Sequence, residues 1–173
     1  MNKSVVIIGP ESTGKTTLAK KLVKELSYCL VEEYAREKLK TTEGFYNMEM
    51  VEQMSKVQYQ REREVIQDNK GRVILDTDLA VYKVWIQDKY DTKIDWIEDA
   101  IVVDAHHKIY LLCYPDIEWV SDPFREHPSK DDRVRLYQKY LHILKRLNCN
   151  YFIIKGKDES RLKNALNVLR KVL

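Results

Sequence analysis

Between Gly9 and Thr16 the chain reads G-P-E-S-T-G-K-T, directly behind the apolar run Val5-Val6-Ile7-Ile8. Every fixed position of the phosphate-loop pattern G-x-x-x-x-G-K-[ST] is satisfied. The flanks agree, because a β-branched run enters the loop and the helix-favouring Thr17-Leu18-Ala19-Lys20-Lys21-Leu22 leaves it. Glycines permit the tight bend that turns successive N–H groups toward an anion, and the helix adds the positive end of its dipole. Gly9, Glu11, Ser12, Thr13, Gly14, Lys15, Thr16 and Thr17 are therefore expected to hold a nucleoside triphosphate. Lys15 would reach the β- and γ-phosphates, and the Thr16 hydroxyl would ligate Mg²⁺. A chain of this length meets the pattern by chance in roughly one case per hundred. This one has only five glycines with which to do so.

The rest of the chain repeats the strand-then-helix alternation. Strands are expected at 3–8, 29–36, 72–75, 108–113 and 151–154, the second starting apolar and ending in carboxylates and an arginine. Helices are expected at 15–26, 47–69, 79–89, 96–106, 131–147 and 158–173. The charged run Arg61-Glu62-Arg63-Glu64 reads as a solvated helix face. Asn69-Lys70-Gly71 reads as a helix end. Such alternation argues a three-layer α/β sandwich, a parallel sheet with helices on both faces and right-handed crossovers.

Composition narrows the class. At 173 residues, with 44% hydrophobic and 33% charged, the chain is expected to form one folded domain over 1–173. The formal charge of +3 is spread along the sequence, which gives no case for a nucleic-acid partner or an anionic membrane. No run approaches the roughly 18 apolar residues of a membrane span. Met1-Asn2-Lys3 leads straight toward the first strand without a secretory signal. Cys29, Cys113 and Cys149 are odd in number and far apart, which reads as buried free thiols in a reducing cytoplasm. His106, His107, His127 and His142 show no metal-ligand spacing.

In a sheet of this kind ligands bind beyond the carboxyl ends of the strands. The second strand ends in Glu32-Glu33-Tyr34-Ala35-Arg36 and the third in Asp76-Thr77-Asp78. An acid after an apolar strand is the usual magnesium partner in phosphate-loop proteins, which nominates Asp76. The fourth strand opens a long loop, 115–130, holding three of the four prolines together with Trp119, Asp122 and Arg125; Arg133 follows on the next helix. Carboxylates here can orient an acceptor hydroxyl and take its proton, and arginines can neutralise charge on a transferring phosphoryl group. A closing loop would exclude competing water.

The ordered set is more specific than the phosphate loop alone. G-P-E-S-T-G-K-T-T-L at Gly9 to Leu18, E-Y-A-R at Glu33 to Arg36, D-T-D at Asp76 to Asp78, W-V-S-D-P-F-R at Trp119 to Arg125 and D-R at Asp132-Arg133 run nearly end to end. Together they resemble the ribosylnicotinamide kinase domain of NadR-like proteins, a group of small P-loop kinases. The resemblance implies a nucleoside/nucleotide kinase fold with a lid at about 115–133, between strands four and five. It implies ATP with Mg²⁺, and transfer of the γ-phosphate to the ribose 5′-hydroxyl of nicotinamide riboside. On this sequence it implies Lys15, Glu33, Asp78 and Arg125 as catalytic, with Glu33 favoured over Asp78 as base. Thr16 and Asp76 would serve the metal, and Arg125 and Arg133 would close on ATP. Glu33, Tyr34, Arg36, Asp78 and Trp119 would contact the acceptor, Tyr34 and Trp119 by stacking on a flat ring. Larger members carry DNA-binding and adenylyltransferase domains ahead of the kinase; these 173 residues hold neither, so NAD synthesis is not expected of them alone. Pro123 stands where that pattern leads one to expect glycine. The alternatives are a kinase for another nucleoside or small hydroxyl acceptor, and an ATP-hydrolysing switch that signals to a partner.

Overall fold

Burial on two faces decides the sheet. Ser4–Ile8 (β1) is buried at all five positions, as are Val73–Asp76 (β3) and Lys108–Cys113 (β4). Such strands need cover on both sides, which only a layered α/β arrangement supplies. The computed structural model describes residues 3–173; Met1 and Asn2, read above as the lead-in to the first strand, lie outside it. Cys29–Val31 (β2) and Tyr151–Ile154 (β5) form the edges of a five-stranded parallel sheet in the order β2-β3-β1-β4-β5.

Alternation along the strands sorts the core into two layers. Val6, Ile8, Val73, Leu75, Tyr110 and Leu112 face the helices Tyr34–Thr41 (α2), Met48–Asp68 (α3), Leu79–Tyr90 (α4), Asp95–Asp104 (α5) and Lys130–Arg146 (α6). Val5, Ile7, Ile74, Ile109 and Leu111 face Lys15–Leu26 (α1) and Asp158–Val172 (α7). Each fully buried Ile or Leu contributes about 1.5–3 kcal/mol.

Helix ends are fixed locally. Asn47 accepts the Met50 N–H at 2.9 Å to start α3, and Gly71, with φ +82°, closes the turn after it. The expected strand over 29–36 stops at Val31, and α2 begins at Tyr34. Ala35 and Leu39, four residues apart, are both buried, a helical spacing that the short E-Y-A-R segment alone does not reveal. Cys113 and Cys149 are buried as expected, but Cys29 is exposed because it begins an edge strand. The loop from Tyr114 to Ser129 has no regular structure and reaches back over the carboxyl edge, at the place of the expected lid.

Candidate active site

The phosphate loop joins β1 to α1 where the chain first leaves the sheet. Gly9 has φ +143°, and a Cβ there would lie 2.7 Å from the Cys113 carbonyl oxygen, so only glycine lets the loop pass this close to β4. Gly14 takes φ +73° and opens α1. Lys15 donates to the Pro10 carbonyl at 2.8 Å, and Thr13 Oγ1 donates to the same oxygen at 2.9 Å. The whole segment Gly9 to Thr17 lines a cavity of about 520 Å³ that also holds Glu33, Arg36 and Arg125.

The acids at the third strand end part company. In a strand, residues two apart face the same side. Thr77 interrupts that with φ +76°, a costly conformation for a β-branched residue. Asp76 remains beside the loop: burial raises its pKa, while the neighbouring Thr16 hydroxyl and Lys15 partly offset this. Its Oδ1 is buried without a hydrogen-bond partner. A hydroxyl and an orphaned carboxylate oxygen next to a phosphate cradle suit a hydrated magnesium ion.

Asp78 turns the other way, correcting its expected place as catalytic and acceptor-binding residue. It is fully buried, accepts from Lys108 Nζ at 3.1 Å and the Tyr110 hydroxyl at 2.8 Å, and caps α4 through the Ala80 N–H at 2.9 Å. Lys108 also binds Glu62 at 3.1 Å, so Glu62 is buried and not on a solvated face as expected. Burial lifts the Glu62 carboxyl above the usual range and Lys108 pulls it back. The charged spacing around Glu62 hid this, because a buried cation four elements away in sequence is invisible to periodicity.

Glu33 stays with the cradle. It is the N-cap residue of α2, half-buried in the cavity wall. Burial pushes its pKa up to about 7; Lys15 opposes the rise and Asp76 adds to it. A carboxylate poised there is suited to accept a proton near neutral pH. Arg36 also lines the cavity and pairs with Asp122 of the lid. Arg125 lines it from the lid and donates to the Val120 carbonyl.

Four other expected site residues lie outside the cavity or have side chains engaged elsewhere. Tyr34 lies outside the cavity, with the Arg61 guanidinium 4.4 Å from its ring centre and its N–H donated to Gln58 at 2.8 Å. Trp119 is outside too, its indole N–H buried without a partner at the lid base. Arg133 is buried and donates to the Ile117 carbonyl at 2.9 Å, anchoring the lid instead of reaching a nucleotide. The Glu11 side chain is committed to the lid, accepting N–H groups of Glu126 and His127 at 3.0 Å.

The aromatic wall is built instead by other residues. Tyr46 and Trp85 meet edge to face at 4.8 Å, and Phe124, Tyr140, Val81 and Leu136 complete the surface. Trp85 shares α4 with the buried Tyr82 and Ile86, so its residue type and spacing do not set it apart from core. Lys89 Nζ lies 4.1 Å from the Tyr46 ring centre and pairs with Glu126 at 2.8 Å.

A parallel sheet with this loop, an acid at the adjacent strand end and a covering lid defines a phosphate-loop nucleotide-binding protein. The chain belongs to the AAA domain family, whose model matches residues 4–161. Its fold is that of nucleoside and nucleotide kinases. It superposes on the NadR protein in complex with NR at TM-score 0.72 and 21% identity, over 98% of this chain and 51% of that one. It therefore spans about half the length of that structure. It is also similar to thymidylate kinase from Ehrlichia chaffeensis (TM-score 0.69, 14% identity, 99% of both chains). Deoxyadenosine kinase from M. mycoides with bound dATP matches at TM-score 0.65 and 15% identity, over 98% of this chain and all of that one (100%). A comparison with curated proteins finds no match. No helix among the described residues is long and apolar enough to cross a membrane.

Proposed function

We propose that this protein is an ATP-dependent kinase that phosphorylates a small hydroxyl-bearing nucleoside, nicotinamide riboside being the first acceptor to test. The observation that carries this reading is the placement of Glu33. A half-buried carboxylate with a pKa of about 7 shares one cavity with Lys15 and the phosphate loop. An ATPase switch needs only water as acceptor and has no use for an aromatic-walled extension of the cavity. Here Tyr46, Trp85 and Phe124 offer flat surface for a base or pyridinium ring.

In this mechanism the loop N–H groups and Lys15 bind the β- and γ-phosphates, Lys15 exchanging the Pro10 carbonyl for phosphate oxygen. Thr16 and Asp76 would hold magnesium, which supplies charge neutralisation on the phosphates. Glu33 orients the acceptor hydroxyl and takes its proton as the new O–P bond forms and the bond between the γ-phosphorus and the bridging oxygen breaks, releasing ADP. Arg36 and Arg125 stand where charge develops on the transferring group. Phe124 and its lid neighbours exclude water.

One observation favours a second acceptor. Lys89 places a cation against the Tyr46 ring, which disfavours a cationic pyridinium there and favours a neutral base. Pairing with Glu126 moderates that charge. The test is ADP release with Mg-ATP and a nucleoside panel, products identified by mass. ADP matched mole for mole by nicotinamide mononucleotide supports the first reading, and matched by another nucleotide supports the second. Slow ADP release indifferent to every nucleoside refutes both.

A further inference from the structure

We propose that Glu11 is a positioning residue that latches the lid to the phosphate loop and thereby sets Arg125 and shuts out water; the catalytic part of this rests on the kinase reading. The fixed positions of the loop pattern do not require an acid here. An unpaired carboxylate beside a triphosphate site would repel it. In this structure Glu11 is not unpaired. Both of its oxygens lie 3.0 Å from the Glu126 nitrogen, Oε2 lies 3.0 Å from the His127 nitrogen, and Oε1 lies 3.4 Å from His127 Nδ1.

The adjacent variable position makes a second grip. Ser12 Oγ accepts from the Val120 N–H at 3.0 Å and donates to the Glu118 carbonyl at 3.2 Å. The two grips fall on either side of Asp122-Pro123-Phe124-Arg125, so the segment that presents Arg125 to the cavity is tied down at both ends. His127 extends the latch toward α4, its Nε2 lying 3.8 Å from Asp88.

The electrostatics give the latch a direction. With the lid shut, two backbone N–H groups donate to the Glu11 carboxylate and the His127 ring lies against it. Opening the lid strips these partners and leaves a bare negative charge next to the phosphate cradle. Triphosphate binding and lid closure therefore favour one another, each being easier once the other has occurred. Glu11 supplies no chemistry to the reacting atoms; it decides where Arg125 stands and whether water enters.

Two variants of the full chain, Glu11→Ala and Glu11→Gln, test this with readouts that do not all need turnover. Trypsin cleavage after Arg125, followed by mass, reports how often the lid opens. Glu11→Ala should be nicked about tenfold faster than wild type in the absence of substrates. It should bind ATP within about threefold of wild type yet lose about 10- to 100-fold in kcat, because a shift of an ångström at Arg125 suffices. Its ADP release should also outrun acceptor phosphorylation, as water takes more of the phosphate. Glu11→Gln, which keeps one amide oxygen to accept the lid N–H groups, should fall between the two. A nicking rate equal to wild type in Glu11→Ala overturns the latch, whatever happens to activity. A loss of ATP affinity as large as the loss of kcat also overturns it, making Glu11 an ordinary part of the phosphate loop. If the wild type phosphorylates no nucleoside, the kinase reading falls, and the nicking rates still decide whether Glu11 latches the lid.

Discussion

The floor and the walls of the cavity are held by different forces. The floor, Gly9 to Thr17, hangs between a strand buried at every position and a helix whose Leu18, Ala19 and Leu22 are buried, and its shape comes from backbone geometry. The walls come from α2, α4 and the lid, which meet largely through polar side chains: Arg36 with Asp122, Lys89 with Glu126, and Tyr46 with both Trp85 and Glu126. Apolar packing fixes a position without needing a partner of particular charge. Paired side chains fix it only while both members are present and correctly protonated. The floor is thus suited to a constant ligand, a polyphosphate, and the walls to a variable one.

The largest test of this division is at Glu33, where a wall residue is asked to do chemistry. Glu33→Gln should lower kcat by about 10²- to 10⁴-fold with ATP binding preserved. In wild type kcat should rise with pH and level off above about 7, where burial has placed the Glu33 carboxyl. The variant should lack that limb, and steady-state rates from pH 5 to 9, a range of about four units, would show it. The sign for stability is opposite. A carboxyl raised from 4.5 to about 7 binds more protons folded than unfolded, so its contribution is full below the lower value and is lost as pH rises through the upper. Glu33→Gln should therefore melt about 2–6 °C higher than wild type above neutral pH. A variant that is inactive but no more stable would mean that Glu33 is not desolvated.

On the floor, Lys15→Ala should cost about 10²- to 10³-fold in turnover through lost charge stabilisation, with melting temperature unchanged. Equal losses at both sites with altered folding would erase the distinction between floor and wall. Asp78→Asn tests the contrast from beneath. It removes one partner of the buried Lys108 cluster and should destabilise by about 3 kcal/mol, read as a fall in melting temperature of about 6–12 °C. At temperatures where it is folded, kcat should stay within about threefold of wild type. A kcat collapse in a folded Asp78→Asn would return the base to that residue. Arg125→Ala should produce the mildest change among the cavity residues, about 10- to 100-fold in kcat and less in ATP affinity; the reverse order would make it a ground-state binder.

What could be read in advance follows the same division. The loop residues, the parallel sheet and most helix limits were legible because periodicity and glycine chemistry act locally. Lys108–Cys113 and Tyr151–Ile154 fall where their apolar runs place them. Glu33 was nominated by the rule that ligands bind beyond the carboxyl ends of strands, and it lines the cavity from the N-cap of α2. Asp78 satisfied the same rule and was misread, since the left-handed turn at Thr77 leaves no mark in residue type. Tyr34 and Arg133 are engaged by neighbours, Gln58 with Arg61 for the one and Ile117 for the other, and Trp119 lies outside the cavity, none of which residue type alone reveals. That Trp85 and Tyr46 line the cavity was not legible, because it depends on how α4 packs against the segment between α2 and α3.

The lid pairs carry one more consequence, for ionic strength. Arg36 and Lys89 have side chains 44% and 40% exposed, so added salt reaches their ion pairs directly. At 1 M salt the screening length shrinks to about 3 Å. The buried Lys108 cluster, with side chains at most 3% exposed for Lys108, Glu62 and Asp78, is shielded from that screening. Concentrated electrolyte should thus loosen the cover of the site while leaving the frame that carries it intact, giving a protein that remains folded but whose door swings freely.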